Sequence, residues 1–165
     1  MIFLPVRVPA LAPPPPEDVV IARVLAVLCD SVTTDDRAPA GAIPKNGPAA
    51  RYLREAGVEQ ADWNTFGARR GNHQVMMRGT FGNVRIKNFL VPDREGNWTV
   101  HFPSGEVLSI FDAAMRHIHA GTPLILLTGK EYGTGPTRDE AATRPALRAV
   151  TTLTPRSADP LHRST

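Results

Sequence analysis

The sequence predicts an α/β domain, on three observations. Two apolar runs, residues 22–28 and 123–127, have the length and composition of buried strands. Between them lie two short segments with helix start and stop signals, 48–56 and 109–120. The second run leads into a turn with two glycines, Gly133 and Gly135, and then into a helix-compatible stretch at 139–143. Strands alternating with short helices belong to the α/β class.

Residues 1–18 are proline-rich, with four prolines in a row at 13–16. Such a run favours extended polyproline II and lacks sheet donors, so it reads as a linker or arm. A domain body over 19–150 and a diverged or truncated tail over 151–165 complete the expected organisation. The run 22–28 reads as a strand delivering Asp30 to Asp35 into a polar loop. Asn46-Gly47-Pro48 opens a helix that Gly57 ends. Trp63 and Phe66 are expected as core anchors, and Met76 and Met77 as packing residues. Strands are expected over 84–91, 98–102 and 106–108, with Pro103-Ser104-Gly105 as a turn. Ser109, with Asp112 three residues on, has the form of a helix cap, and Gly121 stops that helix. His117 and His119 lie two apart on it, face different ways and are expected at the solvent. Beyond Val150 the pattern weakens into Thr151-Thr152-Leu153-Thr154-Pro155.

Composition narrows the function classes. No apolar run approaches the roughly 20 residues of a membrane helix, and residues 1–12 lack the features of a signal peptide. Net charge is +3, too small and scattered to argue for nucleic acid by itself. Arg69 and Arg70 form a small basic patch of the kind that is usually just solvated. The single cysteine, Cys29, cannot form an internal disulfide or hold an iron–sulfur cluster alone. A reducing, cytoplasmic setting is compatible with it.

The stretch 129–142, Gly-Lys-Glu-Tyr-Gly-Thr-Gly-Pro-Thr-Arg-Asp-Glu-Ala-Ala, carries the clearest chemistry. A strand, a glycine turn and a helix start make an anion site from free N–H groups and the helix dipole. Arg138 there has the planar fork that grips a carboxylate with two hydrogen bonds. From the residues alone, a plain strand-to-helix turn with a surface arginine is the commoner outcome. Likewise, Thr33-Thr34-Asp35-Asp36 alone reads as a capped turn.

Three motifs in order change that weighting. They are 129–142; Asp30-Ser31-Val32-Thr33-Thr34-Asp35 followed by Pro39-Ala40-Gly41; and residues 66–81, Phe-Gly-Ala-Arg-Arg-Gly-Asn-His-Gln-Val-Met-Met-Arg-Gly-Thr-Phe. Together they resemble the C-terminal swivel domain of the aconitase family, in its aconitase A and iron regulatory protein branch. The resemblance covers about Pro13 to Val150. It implies a β/β/α swivel domain, apparently truncated at the C-terminus, although Leu161-His162-Arg163-Ser164 resembles the family's Ile-His-Arg-Ser segment.

The resemblance also implies a reaction: interconversion of citrate and isocitrate through cis-aconitate, on a [4Fe–4S] cluster held by three cysteines of other domains. Asp35 matches an active-site aspartate. Arg78, of the Arg-Gly motif, matches an arginine that binds a substrate carboxylate, and Arg138 matches a second. Gly79 beside Arg78 would let the backbone approach a ligand. The family's Ser-Ser-Arg is here Pro136-Thr137-Arg138, so Pro136 replaces the serine that acts as base, and Thr137 keeps a hydroxyl for substrate. Asp36 stands where the family usually has histidine. The expected partners are cluster-bearing aconitase domains or a large subunit, with a tricarboxylate substrate, no membrane, and no cofactor bound by this chain alone. Without those domains the chain is expected to be inactive. Two other readings stay open: the small subunit of a split hydro-lyase such as isopropylmalate isomerase, and an RNA-binding module of iron regulatory type.

Overall fold

The computed structural model describes residues 21–33, 36, 40–132 and 150–155, the last group by backbone only. The strand expected at 22–28 forms as β1 (Arg23–Val27), and the run after Pro123 forms β4 (Leu124–Thr128). A third strand, β5 (Val150–Pro155), pairs with β4. The sheet order is β1-β4-β5 and both pairings are parallel. Parallel neighbours need a crossover, and here 96 residues separate β1 from β4.

That crossover holds most of the described chain. Pro48 sits in the first turn of α1 (Pro48–Glu55), and Gly57 follows it with φ +76°, the left-handed conformation that closes a helix. A single 3₁₀ turn (Gln60–Asp62) leads to Trp63. The short α2 (His73–Arg78) is capped by Asn72, whose side chain accepts from the N–H groups of Gln74 and Val75. The hairpin β2 (Trp98–His101) and β3 (Glu106–Ser109) is antiparallel. It runs directly into α3 (Ile110–His119), with Ser109 accepting from the Asp112 N–H as the cap, and Gly121 at φ +65° just beyond.

Two apolar clusters result. Leu25, Leu28, Phe81, Ile110, Leu124 and Leu126 fill the core between the sheet and α3. Trp63 and Phe66 are buried with Leu53, Val75 and Met76 in the second, around α1 and α2. The expected core roles of Trp63, Phe66 and Met76 are met; Met77 is only half-buried. Gly79 is needed for packing, since a Cβ there would lie 2.4 Å from the Phe66 ring.

The structure departs from the sequence reading at three places. Residues 84–91 are not a strand but turns with isolated bridges, Leu28 to Asn88 and Lys87 to Glu95. The reason is Asn88, buried at 2 % exposure, whose side chain takes over the bonding that a ladder would supply. Its Oδ1 accepts from Val27 N at 3.0 Å and Leu90 N at 3.1 Å, and its Nδ2 donates to Trp98 O at 3.0 Å. Second, β5 lies where the sequence pattern weakened: alternation says little about a short threonine-rich strand fixed by its neighbour. Third, His119 is exposed but His117 is buried at 3 % exposure. The buried face of α3 is wide enough to include it, and its ring lies 4.6 Å from that of His101 on β2.

Burial, then His101 and Arg23, hold the His117 pKa below the ordinary histidine value. The unfolded chain therefore binds a proton at His117 more readily than the folded one. Stability is full above about pH 6.5 and falls as pH drops through the unfolded and then the folded pKa. Chemical denaturation from pH 7.5 to 5 is expected to show this loss, and His117→Phe to flatten it; an unchanged slope in the variant assigns the acid sensitivity elsewhere.

Candidate functional site

In open parallel sheets, ligands bind beyond the carboxyl ends of the strands. Here the two segments leaving β1 and β4 run side by side. The Gly129 N–H donates to Cys29 O at 3.2 Å, and the Ser31 N–H to Lys130 O at 2.8 Å. The Lys130 N–H donates to Asp30 Oδ1 at 2.7 Å, and the Ser31 hydroxyl to Glu131 Oε2 at 3.1 Å. Both partners of that last bond are in the left-handed region, Ser31 at φ 57° and Glu131 at φ 57°. Such conformations cost on the order of 1–3 kcal/mol each and persist only where the surroundings enforce them. A cleft of about 650 Å³ opens beside them, lined mainly by apolar groups with Cys29, Asp30, Phe89, Thr128 and Gly129 at its rim and floor.

Gly129 is the reason the segments can approach. A Cβ there would lie 2.0 Å from Asp30 Oδ1 and 2.5 Å from Asp30 N. No rotamer change relieves a contact with backbone, so the two segments would have to separate.

Arg78 ends α2 and lies between aromatic rings of α1 and α3. Its guanidinium carbon is 4.4 Å from the ring centre of Tyr52 on α1 and 5.0 Å from that of Phe111 on α3. Its Nη1 donates to the Gln74 carbonyl at 3.0 Å and to Gln74 Oε1 at 2.6 Å. Burial lowers its pKa, but arginine remains charged at any physiological pH. Beside it, Arg51 of α1 pairs with Asp112 of α3. Arg69, expected in a solvated basic patch, instead donates to the carbonyls of Trp63 and Asp62; Arg70 is exposed.

Asp35, Thr137 and Arg138, with Pro136, lie outside the described residues. The segments that lead to them are described, and these are the ones stitched together. The structure adds contacts that sequence reasoning missed. Asp30 meets Lys130 across 100 residues and Asn83 meets Asp36 across 47, distances at which no local periodicity gives a signal.

The profile of the aconitase C-terminal domain matches residues 49–164. The chain belongs to the aconitase C-terminal domain family. It is 57% identical over 155 residues to aconitate hydratase A of Pseudomonas aeruginosa, covering 94% of this chain and 17% of that protein. Identity to aconitate hydratase A of Escherichia coli is 53% over 152 residues, 92% of this chain and 17% of the relative. For the Thermus thermophilus protein it is 50% over 148 residues, 90% and 16%. The chain thus spans about a sixth of the length of the curated relatives it matches. Among the described residues the aconitase domain has a parallel three-stranded sheet with helices and a hairpin in the crossover, as the α/β expectation required.

Its residues do not fit a cluster. Iron–sulfur clusters are held by several thiolates, and Cys29 is the one cysteine of the chain. Among the described residues no group of three His, Cys, Asp or Glu side chains is placed to hold a metal ion. Among them also, no helix is long and apolar enough to cross a membrane.

Gly129→Ala is expected to lower stability by about 1–3 kcal/mol or more, the range for overpacking. Thermal or urea unfolding of the variant measures it. A loss no greater than a surface substitution's, within about 0.5 kcal/mol, would show that the segments are not held at this separation.

Proposed function

We propose that this chain serves as the substrate-covering C-terminal domain of an aconitate hydratase-type lyase, interconverting citrate and isocitrate through cis-aconitate. The observation that carries the reading is the stitching of the β1 and β4 exits by four hydrogen bonds. Those exits lead to Asp35 and to Arg138, which lie about 100 positions apart in sequence, and the bonds bring the two paths to one end of the sheet.

In this reading Arg138 grips one substrate carboxylate as a fork, and the Thr137 hydroxyl donates or accepts beside it. Asp35 is the ionisable group suited to proton transfer. Arg78 meets a second carboxylate by exchanging its Gln74 side-chain bond for a stronger, charged acceptor. Its aromatic neighbours and the Gln74 carbonyl give that guanidinium a fixed direction. The chain's own groups therefore bind, orient and handle a proton. The cluster-bearing domains belong to other parts of the assembly, whether in one polypeptide or as a separate subunit, and the site is complete only with them.

Pro136 is the weak point. Proline carries no hydroxyl and no backbone N–H, so the position cannot supply a base or an anion-binding donor. Loss of a general base costs on the order of 10²–10⁴ in rate. A helix start over these residues, as the sequence predicts, would turn adjacent side chains apart by about 100°, so Thr137 is not expected to stand in for the lost group.

Calorimetry of the chain alone with citrate and isocitrate is expected to give binding weaker than micromolar, about −8 kcal/mol; tighter binding would mean a self-sufficient site. Joined to the remaining domains of the Pseudomonas aeruginosa relative, with a reconstituted cluster, the chain is expected to turn citrate over poorly. Pro136→Ser should restore much of the rate, and Arg138→Lys should abolish that gain because a point charge does not replace a fork. Equal rates before and after Pro136→Ser would remove the assignment of the base position.

A further inference from the structure

Asp36 is an aspartate where the resembled family usually has histidine, and its surroundings give it a different task. Its Oδ2 accepts from the Thr33 N–H at 2.9 Å and from the Thr33 hydroxyl at 3.0 Å. Its Oδ1 accepts from Asn83 Nδ2 at 2.7 Å. A carboxylate has about four acceptor sites and uses them here in two directions at once; a neutral imidazole has one acceptor nitrogen and cannot do so. Asn83 is fixed from its other side, since its Oδ1 accepts from the Arg85 N–H at 3.0 Å. The amide therefore cannot flip without losing that bond, which sets the polarity of the pair.

Asn83 follows the turn that leaves α2, in which the Gly82 N–H donates to Gly79 O at 2.8 Å. Phe81 within it is fully buried and held at φ 56°, so the turn has little freedom. Asp36 thus joins the segment leaving β1 to a rigid turn next to Arg78, 47 positions away. Thr33 and Asp36 bracket Asp35 in sequence and are fixed by one carboxylate.

We infer that Asp36 and Asn83 form a clamp that ties Thr33 and Asp36, the sequence neighbours of Asp35, to the turn after α2, making both positioning residues for the reaction proposed above. The inference rests on that proposal for its catalytic consequence and on the hydrogen bonds alone for the clamp. Clamping sets geometry rather than chemistry, and a misplacement of about 1 Å can cost on the order of 10²-fold in rate.

The test uses donor–acceptor reversal. Asp36→Asn loses the bond, because two amide NH₂ groups then face each other while the Asn83 oxygen is committed to Arg85. Asn83→Asp loses it by setting two carboxylates face to face. The double variant Asp36→Asn/Asn83→Asp restores it with polarity reversed: the new amide oxygen accepts from Thr33, its NH₂ donates to the new carboxylate, and that carboxylate still accepts from Arg85.

The Thr33 N–H keeps an acceptor in every variant, so its amide hydrogen exchange in the chain itself reports release of the segment from the turn rather than loss of its own bond; it is expected to quicken about tenfold or more in each single variant and to recover in the double. Unchanged exchange in the single variants, or no recovery in the double, overturns the clamp, whatever the function of the chain. In the Pro136→Ser assembly with cluster-bearing domains, kcat for citrate is expected to fall on the order of 10²-fold in each single variant, with KM changing less, and to recover in the double. If kcat holds while exchange quickens, the positioning role is overturned and the clamp stands as structure only. If the Pro136→Ser assembly is itself inactive, the proposed function fails, the positioning role falls with it, and the exchange result alone decides the clamp.

Discussion

The structure depends on how closely the chain can pass itself at the carboxyl end of the sheet. Two segments meet there closely, because Gly129 leaves the space that the backbone and carboxylate of Asp30 fill. From that approach follow the bonds between Asp30 and Lys130 and between Ser31 and Glu131. The left-handed backbone at Ser31 and Glu131 is the geometric cost of turning both segments away from the strands at the same level. A parallel pair is not joined by a short hairpin, so its two exits are free to carry different residues to one place. That freedom suits a site built from motifs distant in sequence.

A second constraint lies among the helices. The sheet core and the helix core are separate apolar clusters. Arg78 is held between the rings of Tyr52 on α1 and Phe111 on α3, and the Arg51–Asp112 pair links α1 to α3 next to it. Cation–π contacts are worth about 0.5–2 kcal/mol according to their exposure, and an exposed ion pair about 0–1 kcal/mol. Neither rivals apolar burial. They do fix direction, and Arg78 points the same way only while α1, α2 and α3 keep their places.

Much of this was legible in sequence where the signal is local. The Ser109 cap with Asp112, the Pro48 start, the Gly57 and Gly121 stops and the apolar strands 22–28 and 123–127 each carry their cause within a few residues. The family was legible because three motifs keep their order. What escaped is long-range. Residues 84–91 have the composition of a strand, yet a single buried asparagine reorganises them. His117 looked polar enough for solvent, but the ring of His101 meets it from a strand that sequence spacing does not connect to α3. The Asp36 carboxylate looked like a simple departure from a motif, and its partner 47 positions away gives it a use. Asp35, Thr137 and Arg138 stay legible only through the family, since they lie outside the described residues.

Asn88 has a consequence for the chain's behaviour among its neighbours. Among the described residues β1 is an outer strand of its sheet, and an outer strand with free peptide groups invites another polypeptide to add on. The Val27 amide is taken by the Asn88 side chain and the Val27 carbonyl by the Phe89 N–H. The Thr99 hydroxyl occupies the Leu25 carbonyl in the same way. Side chains and an irregular loop therefore seal this edge, where a fourth strand would have moved the problem one place outward. The seal is compact, and it hangs largely on one amide: a chain that lost it would keep its core residues and its motifs, yet would expose an adhesive margin through which copies could stack.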